Sequence, residues 1–263
     1  MSRNNEERIG TKNIDAPMPP PEALDSALST PLSFTVPTHF VELPSGGKYY
    51  PEGHPLSGKE SIEIRFMTAK DEDILTSRTL LKQGIAIDRL LSNLLVDKTI
   101  DADSLLTGDK NALIVGARIT GYGEDYDTNV MCPVCGTNSK SHFDLSDSKI
   151  NSGHGALEEQ LATETGTGTF LITLPKSNVE VEVRLLTGAD EKKLTQLAEQ
   201  KKKHNLGDSG LTDQLRLIIV AVNGDNNIAS VASLVENMPA IDSRHLRTIY
   251  AKLNPNIEME QMF

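Results

Sequence analysis

Two stretches of the chain change from an alternating pattern of hydrophobic and polar residues to a helical pattern. In the first, Ile62, Ile64 and Phe66 alternate with charged residues, which is the period of a strand with one buried face. Thr68 then stands three residues before Asp71, the spacing of a capping box with Asp in place of Glu. Acidic residues in this first turn also suit the positive end of the helix dipole. The stretch therefore predicts a strand that leads directly into a helix.

The same change recurs 119 residues later, from Val181 to Leu194. Six of fourteen aligned positions are identical, namely Glu63/Glu182, Arg65/Arg184, Thr68/Thr187, Asp71/Asp190, Glu72/Glu191 and Leu75/Leu194. We interpret this repeat as an internal duplication. Convergence of two ordinary strand-to-helix junctions on a common cap is the alternative.

The rest of the pattern predicts further elements in a regular order. They are strands at 40–44 and 61–66, helices at 68–83, 85–96 and 111–120, strands at 128–131 and 141–145, a short helix at 156–163, a hairpin of 169–174 with 178–186, a helix after Thr187, and helices at 211–223, 230–238 and 242–253. Gly84 is expected to end the first helix, and Asp242 to cap the last.

This order predicts an α+β protein made of two tandem modules, each a β-hairpin followed by helices. Residues 1–36 form a predicted disordered N-terminal arm, residues 37–146 the first module with a cysteine turn, residues 147–168 a linker, and residues 169–263 the second module with a C-terminal tail. The arm is rich in proline and lacks sustained periodicity. If it orders on a partner, the contact candidates are Leu28, Leu32, Phe34 and Val36; a tail without a role is the alternative.

Charge and composition disfavour several classes of function. Lysine and arginine number 26 against 37 acidic residues, which gives a net charge of −11. An acidic chain without a dense basic stripe is a poor binder of nucleic acid backbone. Aromatic residues make up 4% of the chain and tryptophan is absent, so a stacking platform is not expected. The polar N-terminus and the lack of a run of about 20 apolar residues predict a soluble protein, made in a cytoplasm, that does not enter a membrane.

The sharpest chemical motif is the run Cys132-Pro-Val-Cys135-Gly136. Such a turn directs two thiolates at one tetrahedral ion, as in zinc ribbons. A closed site needs four ligands, and His142 and His154 are the nearest candidates for the other two. A reduced, metal-free turn that closes a hairpin is the alternative. A redox role is less favoured, since the cysteines lie between predicted strands and not at a helix N-terminus.

The other polar clusters are better explained by structural roles than by catalysis. The acids from Asp71 to Asp73 fit helix capping better than acid–base or metal chemistry. The histidines are scattered, and no nucleophile–base arrangement stands out. The sequence therefore predicts a protein that is not an enzyme and carries no cofactor, with zinc at the two cysteines as the one metal to test.

Five motifs in one register resemble the T4-type bacteriophage baseplate family, which includes a hub subunit and a hub-assembly protein. They are Val41–Pro55, Met67–Ser77, Gly108–Leu113, Arg118–Gly123 and Cys132–Gly136. The resemblance covers about residues 40–145 and does not separate the two members. It implies a protein that acts by presenting surfaces to other baseplate and hub proteins of a contractile tail, and it supplies no catalytic residues.

Two functional hypotheses follow. The first is a hub subunit or hub-assembly factor, present in the host cytoplasm during assembly and, for a subunit, in the virion. The second is a zinc-ribbon-like adaptor that binds nucleic acid or a nucleic-acid enzyme. The acidic charge and the shortage of aromatic residues disfavour the second.

Overall fold

A computed structural model describes residues 35–133, 135–205, 207 and 209–259. From Pro37 onward the chain forms one compact unit of mixed helices and strands, which confirms the α+β class. The predicted disordered arm, with Leu28, Leu32 and Phe34, lies outside the described residues apart from its last two positions. Helices within the described ranges are all too short or too polar to span a bilayer.

Ten strands and nine α-helices make up the described fold. The strands are β1 (Thr38–Glu42), β2 (Ser61–Arg65), β3 (Asp125–Met131), β4 (Asn138–Asp144), β5 (Lys149–Asn151), β6 (Thr163–Glu164), β7 (Thr169–Thr173), β8 (Glu180–Arg184), β9 (Ile219–Val222) and β10 (Asn256–Glu258). The helices are α1 (Ala69–Thr76), α2 (Arg78–Lys82), α3 (Ala86–Leu94), α4 (Thr107–Tyr122), α5 (Gly155–Glu158), α6 (Gly188–Lys203), α7 (Gly210–Ile218), α8 (Ile228–Asn237) and α9 (Ala240–Leu253).

The first hairpin pairs β1 with β2 in antiparallel register, with Val41 opposite Ile62. The predicted helix from 68 to 83 is wrong in one respect, because it breaks at Ser77. Ser77 is extended, and its hydroxyl accepts from the Leu80 N–H at 3.5 Å, so it caps a separate helix, α2. Helix α3 follows and ends in an extended Leu95, which bridges back to Ile64 of β2.

Helix α4 begins four residues earlier than the predicted helix from 111 to 120. Gly108 lies inside the first turn, where a Cβ atom would come within 1.7 Å of the Pro255 carbonyl oxygen. A tertiary contact therefore explains a glycine that local propensity assigns to a loop. The helix runs two residues past its predicted end, to Tyr122, and Gly123 follows with a φ of +84°.

Strands β6, β7, β8 and β9 form a four-stranded antiparallel sheet in that order. The helix predicted from 211 to 223 is wrong in its second half, because α7 ends at Ile218 and the chain continues as β9. Residues 218–222 are mostly β-branched and pair with β8, so sheet formation wins over the apolar helical pattern.

Strands β3 and β4 form a separate hairpin, and β10 pairs with β5 near the C-terminus. One hydrophobic core cluster draws residues from both sides of the region 147–168, including Ile64, Leu113, Phe170 and Leu246, each 1% exposed or less. The predicted division into two modules and a linker stays a prediction.

Candidate interaction surfaces

The first β-to-α junction, from Arg65 to Asp71, is held by a bidentate ion pair. The two terminal guanidinium nitrogens of Arg65 lie 2.6 and 2.8 Å from the Asp71 carboxylate oxygens. Thr68 adds its backbone N–H at 2.9 Å and its hydroxyl at 2.7 Å, both donated to Asp71. These donors, Arg65 above all, hold the pKa of Asp71 well below its usual range.

The second β-to-α junction, from Arg184 to Asp190, repeats these contacts. Arg184 donates to both oxygens of Asp190 at 2.8 and 2.7 Å, and Thr187 donates its N–H and its hydroxyl at 3.0 Å each. Burial alone would raise the pKa of Asp190, but the bonds from Arg184 and Thr187 outweigh it and lower the pKa. Both carboxylates therefore serve the fold, in agreement with the capping interpretation.

Asp109, the third residue of α4, fixes the turn of the first hairpin. It is fully buried and accepts from the Ser45 N–H at 3.0 Å, the Ser45 hydroxyl at 2.6 Å and the Tyr50 hydroxyl at 2.7 Å. Tyr50 in turn accepts from the Leu106 N–H at 3.1 Å. The turn and the start of α4 are thus one hydrogen-bonded unit.

Asp242, the third residue of α9, does the same for the second hairpin. It is fully buried and accepts from the N–H groups of Lys176 and Ser177 at 2.7 and 2.9 Å. The prediction that Asp242 caps α9 is wrong, because Pro239 occupies the N-cap position. The sequence signal that could have found these paired roles is the dipeptide Leu-Pro, which begins both turns at Leu43 and Leu174.

A short backbone contact joins the second junction to the segment before α4. Leu105–Thr107, which we call the covering strand, bridges Leu186–Gly188 in antiparallel fashion. The Thr107 N–H donates to the Leu186 carbonyl at 3.0 Å, and the Gly188 N–H donates to the Leu105 carbonyl at 2.9 Å. Gly188 is buried under this strand, and a Cβ atom there would lie 3.2 Å from the Ala102 carbonyl oxygen.

Five charged side chains secure the same contact. Lys110 pairs with Asp88 at 3.0 Å and with Glu191 at 3.1 Å, and Lys192 pairs with Asp88 at 3.1 Å and with Asp103 at 2.5 Å. Burial alone would lower the pKa of Lys110, but its two acidic partners raise it. Sequence reasoning missed this cluster, since its members are separated by up to 104 positions and become neighbours only through the fold.

The two cysteines lie in the turn between β3 and β4. The Cys132 N–H donates to the Thr137 carbonyl and the Gly136 N–H donates to the Cys132 carbonyl, each at 2.9 Å. Gly136 takes a φ of +70°, which a tight turn requires. Cys132 is half-buried and Cys135 exposed, and hydrogen bonding with Thr137 lowers the pKa of the Cys135 thiol.

The two candidate histidine ligands have other partners. Nδ1 of His142 lies 2.8 Å from Asp127 and Nε2 lies 3.3 Å from Asp125, both on β3, and Asp127 above all raises the pKa of His142. His154 lies beside Ser152 at 2.7 Å and Lys48 at 3.3 Å. Within the described ranges, no three Cys, His or acidic side chains converge on a position suitable for a metal ion.

The comparisons with known proteins give one finding. A search of curated proteins and a search of solved structures produced no match. The family model described as T4 bacteriophage base plate protein matches residues 36–168, about half of the chain. The matched region contains the first hairpin, the first junction, Asp109 and the cysteine turn. The chain therefore belongs to the T4 bacteriophage base plate protein family.

Proposed function

We propose that this baseplate protein is a hub subunit or hub-assembly factor of a contractile tail, and that it acts through protein–protein contacts without covalent chemistry. The observation that supports this proposal is that four buried carboxylates of the chain are held by donors within the fold. Asp71, Asp109, Asp190 and Asp242 each accept bonds from donors of the fold. Catalytic carboxylates, by contrast, face a cleft where substrate can reach them.

Exposed hydrophobic side chains supply candidate contact points for other baseplate proteins. The largest exposed fractions belong to Ile228 at 85%, Met131 at 65%, Phe40 at 64% and Ile241 at 60%. They lie on different elements, so several separate contacts are a better fit than one continuous patch. This suits a protein that touches more than one neighbour.

The test is mass spectrometry of purified mature virions beside lysate of infected cells. Presence in the particle at a fixed ratio to other baseplate proteins would support a hub subunit. Abundance in lysate with absence from particles would support an assembly factor that leaves. Absence from both would contradict the proposed function.

The zinc-ribbon-like adaptor has no support among the described residues or the comparisons. The hairpin that carries the cysteines is acidic around His142, with Asp125, Asp127 and Asp144 all acting on it. Such a surface repels a phosphate backbone. Strong, salt-sensitive DNA binding in a filter assay would revive that function.

Zinc at Cys132 and Cys135 stays a proposal of its own. If zinc binds there, elemental analysis of the purified chain shows one equivalent that is lost in Cys132→Ser, whereas a reduced, metal-free turn gives no zinc in either chain. Because His142 and His154 already have partners, His142→Ala and His154→Ala separate their roles as ligands from their roles in the fold. A zinc content of zero in the wild-type chain would remove the proposal.

We also infer that the two junctions arose by internal duplication. The support is now a set of paired contacts and not sequence identity alone. Each hairpin leads into an Arg–Asp junction, and Thr76 and Thr195 donate to the carbonyls of Glu72 and Glu191 at 2.9 Å. In each half a nine-residue helix, α3 or α7, then returns the chain to the second hairpin strand, at Leu95 and Ile219.

A further inference from the structure

The two junctions differ in what covers them. Gly188, which begins α6, is buried and donates its N–H to the covering strand. Ala69, which begins α1, is exposed, and neither its N–H nor the Met67 carbonyl has a partner among the described residues. The first junction thus carries the same backbone donor and acceptor as the second, without the strand that satisfies them.

The covering strand has an equivalent segment that contacts neither junction among the described residues. Asp109 and Asp242 are each the third residue of a helix and each hold a hairpin turn, which aligns Leu105–Thr107 with Met238–Ala240. We call Met238–Ala240 the free strand. Pro239, Ala240 and the following Ile241 are exposed, and the Ala240 N–H has no partner in the described part of the chain.

We propose that the free strand of one copy docks on the first junction of a second copy and so repeats the contact made inside the chain. The Ala240 N–H then donates to the Met67 carbonyl, and the Ala69 N–H donates to the Met238 carbonyl. Pro239 lacks an N–H, but its counterpart Leu106 uses that group for Tyr50 and not for the junction. The proposal rests on the proposed duplication and on a function through protein contacts.

The free strand already has the backbone shape of the covering strand, which favours it as the occupant. Leu105 and Leu106 have φ and ψ of −64° and 138°, and −59° and 144°. Met238 and Pro239 have −64° and 126°, and −56° and 141°. Ser243 stands where α4 has Lys110, so the buried lysine pairs of the internal contact are not repeated. The contact between copies is therefore weaker and reversible.

The contact joins two different surfaces, so it is heterologous. Each copy carries one free strand and one open junction, and association continues until a ring closes or a filament grows. The wild-type chain should show concentration-dependent association in sedimentation velocity.

Proline substitutions test the contact without breaking the helices. Ala69 is the first residue of α1, where proline is tolerated, and Thr68 has the extended backbone that precedes proline. Ala69→Pro removes the donor at the junction, and Ala240→Pro removes the donor on the free strand. Each variant should weaken self-association by about tenfold or more, since a backbone bond is lost and the ring crowds the partner carbonyl. Arg78→Pro, at the start of α2, is the matched control and should associate like wild type.

Mixing the two variants gives the decisive result. Ala69→Pro keeps its free strand and Ala240→Pro keeps its junction, so together they should form a one-to-one complex that cannot extend. Loss of folding could not produce this complementation. A wild-type chain that stays monomeric at all concentrations overturns the proposal, as does unchanged association in Ala69→Pro.

A chain that associates only after deletion of residues 1–34 is monomeric at full length, and this result would also overturn the proposal. The baseplate function has a separate readout. Virion and lysate mass spectrometry can succeed when sedimentation shows a monomer, so the two failures are distinguishable.

Discussion

The two β-to-α junctions have the same internal geometry but different surroundings. In both junctions, an arginine on the strand pairs with an aspartate in the third position of the helix. The threonine at the N-cap position of the helix donates its N–H to the same aspartate. The following residue is exposed Ala69 in one and buried Gly188 in the other. The motif therefore forms from local residues, whereas its burial depends on which segment of chain covers it.

The two hairpin turns are also alike in geometry but differ in the electrostatics of their buried aspartates. Asp109 has a raised pKa because burial outweighs the bonds from Ser45 and Tyr50. Asp242 has a lowered pKa because the N–H groups of Lys176 and Ser177 outweigh burial. Equivalent positions in the two hairpin contacts thus hold carboxylates that differ in how strongly the fold favours their charged form.

The largest expected difference concerns these two aspartates. Asp242→Asn should lower the free energy of unfolding by about 2–3 kcal/mol, because an amide NH2 would face a backbone N–H that cannot accept. Asp109→Asn should cost only about 1 kcal/mol, since the Ser45 and Tyr50 hydroxyls can rotate to accept from the amide. Urea unfolding of both variants measures the difference. Equal costs would contradict the assigned donors.

The arginines of the junctions should matter nearly equally. Arg65→Met and Arg184→Met should each lower the free energy of unfolding by about 2 kcal/mol, because each leaves a buried carboxylate without its cation. Arg65 also donates to the Asn93 carbonyl at 3.2 Å, so its loss should cost slightly more. A negligible effect of either substitution on urea unfolding would show that the ion pair does not support that junction. Lys203→Met, at the exposed end of α6, is a control expected to be neutral.

Acid should weaken the protein through both junctions. A carboxylate with a lowered folded pKa contributes stability above its unfolded value of about 4, and that stability is lost as pH falls toward the folded value. The pKa values of Asp71 and Asp190 are both lowered, so wild-type stability should fall below about pH 5. The Arg65→Met and Arg184→Met variants should show a flatter decline. Thermal melting from pH 7 to pH 3 checks this, and parallel curves would refute the linkage.

The smallest expected effect concerns the caps. Thr68→Ala and Thr187→Ala should each reduce stability by about 1 kcal/mol, as lost helix N-caps do. Thr187 lies under the covering strand and Thr68 does not, so a larger cost at Thr187 would measure what that strand adds. An unchanged melting temperature in both variants would contradict a stabilising role for these two caps.

Sequence patterns predicted the hairpins, the capping motif and most helices, because these depend on neighbours within a few residues. They failed where a distant segment decided the outcome. The apolar run after Ile218 became β9 because β8 offered an edge to pair with. Gly108 lies in the first turn of α4, and the Pro255 carbonyl, not a loop conformation, explains why this position is glycine.

The same limit applies to the candidate surfaces. The cysteine turn and the junction motif were visible, since their residues are close in the chain. Asp109, Asp242 and the cluster around Lys110 were not, since their partners are 22 to 104 positions away in the chain. The spacing of residues along the chain does not indicate which distant residues will pair.

The sequence by itself determined that two strand-to-helix junctions exist, that each has an Arg–Asp pair and a Thr cap, and that the chain is acidic with little aromatic surface. Only the tertiary structure decided that one junction is covered and the other open. The reason is that hydrogen-bond donors at a helix start are set by local sequence, whereas the acceptor that satisfies them is brought by folding of the whole chain.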